Sequence, residues 1–201
     1  MSIAGPAGPI EAVAEEPGGR APLYAVVCHP HPLFGGTMDN KVVTTLARAL
    51  QEVGIATVRF NFRGVGASGG TFDDGRGETA DAAAVADYGA LRWPGRELVL
   101  AGFSFGAYVA LRLSQERATA RLITVAPPVD RFDFSALAPP GCPWLIVQGD
   151  ADEVVNPQRV IAWGRSLDPQ PRLTVLPGVS HFFHGHLPEL RRAVIDAIRS
   201  G

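Results

Sequence analysis

Glu97-Leu98-Val99-Leu100-Ala101-Gly102-Phe103-Ser104-Phe105-Gly106-Ala107-Tyr108-Val109-Ala110-Leu111-Arg112-Leu113 is the stretch from which the fold can be read. Its opening run, Glu97 to Ala101, has the unbroken apolar character of a strand buried on both faces. Its end, Ala107 to Leu113, reads as a buried helix. Between them Gly102-Phe103-Ser104-Phe105-Gly106 matches G-x-S-x-G, a sharp strand-to-helix turn that lifts a serine above the sheet and needs small neighbours to avoid clashes. Gly66-Ala67-Ser68-Gly69-Gly70 matches the same pattern, but turn residues surround it. Ser68 therefore reads as a loop residue and Ser104 as the candidate nucleophile.

Outward from this stretch, short runs rich in Val, Ile and Leu alternate with helix-period segments, the pattern of a mostly parallel sheet covered on both faces. Seven strands are expected, near Ile10–Glu15, Leu23–His29, Ala56–Phe62, Glu97–Gly102, Arg121–Val125, Trp144–Gln148 and Arg172–Leu176. Asn40–Val53 places Val43, Leu46, Ala47, Leu50 and Val53 on one helical face, and Leu187–Arg199 does so with Leu190, Val194, Ile195 and Ile198. Thr79–Leu91, Ser104–Gln115 and Gln158–Ser166 complete the helical set. The first connection is too short for a crossover helix, so the first strand is expected to pair antiparallel with the second through a turn at Glu16-Pro17-Gly18-Gly19. Ala126 to Pro143 is rich in Pro and Asp, which limits any cap built from it to a turn or two of helix and predicts an open site.

Composition narrows the function. The chain has 201 residues, enough for one domain with a sizeable core, taken here as residues 1–201. Lys plus Arg is 18 against 20 for Asp plus Glu, so no field gathers nucleic acid or an anionic membrane. No apolar run is long enough to span a bilayer, and the N-terminus lacks the basic and apolar regions of a signal peptide, which predicts a cytoplasmic protein. Cys28 and Cys142 stand far apart with no C-x-x-C, so both read as reduced thiols. The five histidines lack the ligand pattern of a zinc site, and the glycine-rich Asn61–Gly70 loop lacks the Walker lysine and the third dinucleotide glycine. Neither metal nor other cofactor is expected.

A serine hydroxyl needs a base to take its proton and an acid to orient that base. Two later strand ends carry candidates. Trp144–Gln148 is followed by Gly149-Asp150-Ala151-Asp152-Glu153-Val154-Val155, and Arg172–Leu176 by Pro177-Gly178-Val179-Ser180-His181-Phe182-Phe183, with His184 and His186 just beyond. Here the sequence resembles the α/β-hydrolase superfamily, whose G-x-x-D-x-x-V segment matches Gly149, Asp152 and Val155. Its G-x-x-H-F-F segment matches Gly178, His181, Phe182 and Phe183. The resemblance implies a catalytic set of Ser104, Asp152 and His181 in that chain order. It leaves Asp150 as a turn residue and His184 and His186 near a helix start.

The resemblance also implies an oxyanion hole of two backbone donors, one of them Phe105. The other comes from Cys28-His29-Pro30-His31-Pro32-Leu33-Phe34-Gly35-Gly36, where neither proline has an N–H to give, leaving Leu33 or His31. Aligning the superfamily's H-G-x-x-G with His31–Gly35 selects Leu33, although Pro32 replaces the usual glycine. This loop is similar to that of small lidless bacterial hydrolases related to dienelactone hydrolase. The expected activity is cleavage of a small ester or thioester through an acyl-enzyme, with Phe34 and Phe182 among the substrate contacts. A peptidase or amidase, or a non-catalytic binding protein on the same fold, are the rivals.

Overall fold

The computed structural model describes residues 1–18 and 21–200. In chain order its elements are β1 Ser2–Gly5, β2 Gly8–Glu15, β3 Leu23–Cys28, α1 Lys41–Glu52, β4 Ala56–Phe60, α2 Arg76–Arg92 and β5 Glu97–Phe103. Then follow α3 Phe105–Ser114, β6 Arg121–Val125, β7 Trp144–Gly149, α4 Pro157–Ser166, β8 Arg172–Leu176 and α5 Leu187–Arg199. One eight-stranded sheet has the order β1-β2-β4-β3-β5-β6-β7-β8, parallel from β4 to β8.

The sheet explains the unbroken apolar runs. Within β5, Leu98 and Leu100 face the core shared with α2 and α3, while Val99 and Ala101 face the core shared with α1 and α5. A strand covered on both faces needs apolar residues at every position. On α1, Asn40 caps the first turn by accepting from the Val42 amide at 2.9 Å, and Val43, Leu46, Ala47 and Leu50 are buried against the sheet. Truncating a fully buried leucine such as Leu46 to alanine would cost about 2–5 kcal/mol.

Two expectations are corrected. β2 pairs antiparallel with β4, from Ala12 opposite Phe60 to Glu15 opposite Thr57, and not with β3. The crossover through α1 lays β4 beside β3, so the free edge left for β2 is that of β4. Side chains then lock this edge. The Glu11 carboxylate accepts from Asn61 Nδ2 at 2.8 Å and from the Ala67 amide at 2.9 Å, and the Glu11 amide donates to Ser68 Oγ at 2.9 Å. The Gly19 part of the expected turn lies outside the described residues. An eighth strand, β1, also forms by folding back on β2, with Gly5 opposite Gly8 across Pro6-Ala7.

The segment from Ala126 to Pro143 contains neither helix nor strand, so no lid stands over the strand ends. No helix of the described residues is long and apolar enough to cross a membrane. From β3 the chain passes through α1 to β4 on one side and later through α2 to β5 on the other. The order thus reverses between β3 and β5, and the crevice above their carboxyl ends is where α/β sheets bind ligands.

Candidate active site

Ser104 occupies that crevice. It follows β5 at φ 54°, ψ −120°, a left-handed conformation that non-glycine residues rarely hold, and it precedes the first residue of α3. Its amide donates to the Val125 carbonyl and its carbonyl accepts from Ala107, both at 2.8 Å. The flanking glycines are required by close approach: a Cβ on Gly102 would run into the Gly106 carbonyl, and one on Gly106 into the Cys28 and His29 carbonyls. Ser68 has a different task. Buried, it donates to the Asn61 carbonyl at 2.7 Å and holds the loop to β2.

Asp152 and His181 meet beyond the ends of β7 and β8. His181 Nδ1 lies 2.8 Å from Asp152 Oδ2, and both side chains are almost fully buried. A carboxylate can only accept, so the Nδ1 proton points to Asp152 and the neutral ring keeps its lone pair on Nε2. Burial alone would raise the Asp152 carboxyl, but its bond to His181 and those from the Val155 and Val154 amides outweigh this and hold it below the ordinary range. Phe103 and Phe182 pack on the imidazole with ring centroids 5.0 and 5.1 Å away.

The rival residues have separate roles. Asp150 is exposed and accepts from the Gly178 amide at 2.6 Å, tying the two loops together. His184 is exposed, and His186 lies 3.5 Å from Glu189 at the start of α5. His29 is fully buried, accepting at Nε2 from the Phe62 amide at 3.0 Å while Nδ1 meets the Pro30 carbonyl at 2.6 Å. Burial lowers its pKa to about 4, so it is a neutral strut between the loops after β3 and β4.

Ser104 and His181 open onto one cavity of about 340 Å³, walled by His31, Phe34, Phe105, Phe132 and Phe182. The expected contacts Phe34 and Phe182 are therefore in its wall, 80% and 42% exposed. Phe105 begins α3, where an amide has no intrahelical acceptor. The structure departs from the expectation for Leu33. Pro32–Phe34 forms one 3₁₀ turn in which the Leu33 amide donates to His31 Nδ1 at 3.2 Å, and Leu33 points outward, 67% exposed and away from the cavity. That amide is already used. The His31 amide, in contrast, donates to no acceptor among the described residues, and His31 is in the cavity wall.

Several site residues carried no sequence signal. Gln148 donates to Asp152 Oδ2 at 3.1 Å, and Glu153 accepts from the His181 amide at 3.1 Å. Arg131 and Phe132 reach the cavity from the irregular segment after β6, where no periodicity marks them. His31 is half-buried, which lowers its pKa; Asp74 opposes this and Arg131 adds to it.

The geometry has close relatives. A family model described as serine aminopeptidase, S33 matches residues 33–141. An uncharacterised protein of Rickettsia prowazekii is 38% identical, over 96% of this chain and 85% of that one. An α/β serine hydrolase without a lid from Xanthomonas campestris superposes with a TM-score of 0.96 at 48% identity, over 100% of this chain and 93% of its own. An α/β serine hydrolase homologue from Coxiella burnetii gives 0.94 at 48% identity, over 97% and 94%.

Proposed function

The chain belongs to the α/β serine hydrolase family, and on that premise we propose that it cleaves a small carboxylic ester or thioester through an acyl-enzyme. Ser104 Oγ attacks the carbonyl carbon, and His181 Nε2 takes its proton. Asp152 holds the imidazole in the tautomer that leaves Nε2 free and stabilises the imidazolium that forms. The tetrahedral oxyanion is held by the Phe105 and His31 amides, replacing Leu33 in that role. Collapse expels the alcohol or thiol, which receives the proton from His181. Water then repeats the sequence on the acyl-enzyme, with the same imidazole as base.

The observation that carries this reading is the buried 2.8 Å bond from His181 to Asp152, on a histidine that shares one cavity with a serine held in a strained elbow. The family description also raises a peptide reading. An aminopeptidase must hold a free α-ammonium, which calls for a carboxylate in the pocket. Among the described residues no Asp or Glu lines this cavity, whereas Arg131 does. That polarity favours an ester or thioester.

The test is an alkyl fluorophosphonate with peptide mapping, together with p-nitrophenyl esters, acyl thioesters and aminoacyl p-nitroanilides. We expect an adduct on Ser104, absent from Ser104→Ala, and turnover of esters or thioesters at least about 10²-fold above the anilides. An adduct on Ser68, or anilides as the better substrates, would overturn the assignment.

A further inference from the structure

A second cavity, of about 550 Å³, lies at the opposite edge of the sheet from Ser104. It opens where β6, β7 and β8 begin, whereas Asp152 and His181 follow the ends of β7 and β8. Those strands are five, six and five residues long. At about 3.3 Å per residue the two cavities are thus roughly 15–20 Å apart. Its size falls in the ordinary range for a small-molecule site. Pro140, Pro143, Pro169, Pro171, Ala197 and Ile198 form apolar walls. Proline fixes its own φ and brings no backbone N–H, so these walls are pre-formed and offer no main-chain donor of their own.

Among the described residues the charged side chains lining this cavity are of one sign. Arg121 opens β6 and Arg172 opens β8. Arg121 is in register with Val99, and Arg172 with Leu145. Val99 and Leu145 both belong to the core under α1 and α5, and residues in register on neighbouring strands share a face. The two arginines therefore lie on the α5 side of the sheet, one on each flank of β7. Among the described residues neither forms an ion pair or a side-chain hydrogen bond, and no Asp or Glu lines the cavity. In a chain of net charge −2, two unpaired guanidinium groups beside apolar walls mark a local preference for an anion with an apolar body.

We propose that this cavity is a second ligand site, taking an amphipathic monocarboxylate whose head is held by Arg121 and Arg172 and whose tail lies against the proline walls and Ile198. The site is separate from the hydrolytic one, and nothing in the proposal depends on which ester Ser104 cleaves.

Cys142 provides the reporter. It lines the same cavity and is partly buried, and burial pushes its thiol up while the Arg121 charge opposes this. Cys28 is fully buried and out of reach of reagents. The experiment measures N-ethylmaleimide addition to Cys142 by mass spectrometry at pH 8 while decanoate is raised, below its micellar concentration. We expect saturable slowing, with the half-protecting concentration raised at least about tenfold in Arg121→Gln/Arg172→Gln and by a smaller factor in each single variant. Acetate lacks the tail and decanol lacks the charge, so neither protects at the same concentration. Circular dichroism of the variants checks that they are folded. The proposal is overturned by absence of protection, by equal protection in the folded double variant, or by decanol protecting as well as decanoate.

Discussion

Asp152→Asn tests the site with a single change of atom. Asp152 Oδ1 accepts from the Val154 and Val155 amides at 2.9 and 2.7 Å, while Oδ2 faces Gln148 Nε2 at 3.1 Å and His181 Nδ1 at 2.8 Å. In the variant the Asn carbonyl must stay where the two fixed backbone donors point. Its NH₂ then replaces Oδ2 and faces two other donors. Gln148 can turn its amide so that Oε1, buried without a partner, meets the new NH₂, but its Nε2 then gives up the Gly149 carbonyl it holds at 3.0 Å. His181 can respond only by moving its proton from Nδ1 to Nε2, which removes the lone pair that must accept the Ser104 proton. Fold and cavity should survive with a stability loss of about 1–3 kcal/mol, since one buried donor, Gln148 Nε2, is left without its acceptor. Turnover should fall by about 10⁴, equivalent to about 5 kcal/mol of transition-state stabilisation. The assay is kcat for p-nitrophenyl acetate beside a thermal unfolding curve. Asp150→Asn is the control, because an Asn carbonyl still accepts from Gly178, and it should lose less than about twofold. A folded Asp152→Asn protein that keeps more than about a tenth of wild-type kcat would refute the reasoning, because a wrong tautomer cannot support base catalysis at that level.

Three further outcomes are expected. Ser104→Ala should fold normally and lose about 10⁴-fold or more in turnover, whereas Ser68→Ala should keep its activity and lose about 1–3 kcal/mol of stability, since it strips a buried loop of its tie to Glu11 and Asn61; kinetics and urea unfolding read the two apart. His29 has a folded pKa of about 4 against 6.5 for the free side chain, so the unfolded chain binds the extra proton between these values. Its contribution is therefore complete above about pH 6.5 and lost as pH falls towards 4, up to about 3 kcal/mol, and a His29→Gln variant measured by urea unfolding should lack that part of the slope. With about 340 Å³ and no lid, the cavity should favour short acyl groups: kcat/KM of p-nitrophenyl esters should climb about fourfold per methylene over the first few carbons and then fall, and a steady rise to long chains without micelles would contradict the open site.

The local signals were legible. Burial on both faces wrote β5 to β7 as apolar runs, and the periodicity of Asn40–Val53 and Leu187–Arg199 placed α1 and α5 within a residue or so. Ser104 could be separated from Ser68 because a strand and a helix must flank the elbow, and that requirement is local in sequence. Asp152 and His181 were legible only through a resemblance carried by their neighbours, and the 2.8 Å contact between them belongs to the folded chain. The 3₁₀ turn that aims the Leu33 amide at His31 was not legible, because no residue name records such a local backbone rotation. β2 was given the wrong partner because proximity in sequence favoured β3, while the edge actually open to it was decided by where α1 carried β4. Arg121 and Arg172 likewise come to one face of the sheet only through strand register. The apolar run of a covered strand and the apolar stripe of a helix are set by each element's own faces and are written along the chain. Which strands lie side by side, and which side chains from distant loops converge, depends on register and crossover, and these exist only once both cores have closed around the sheet.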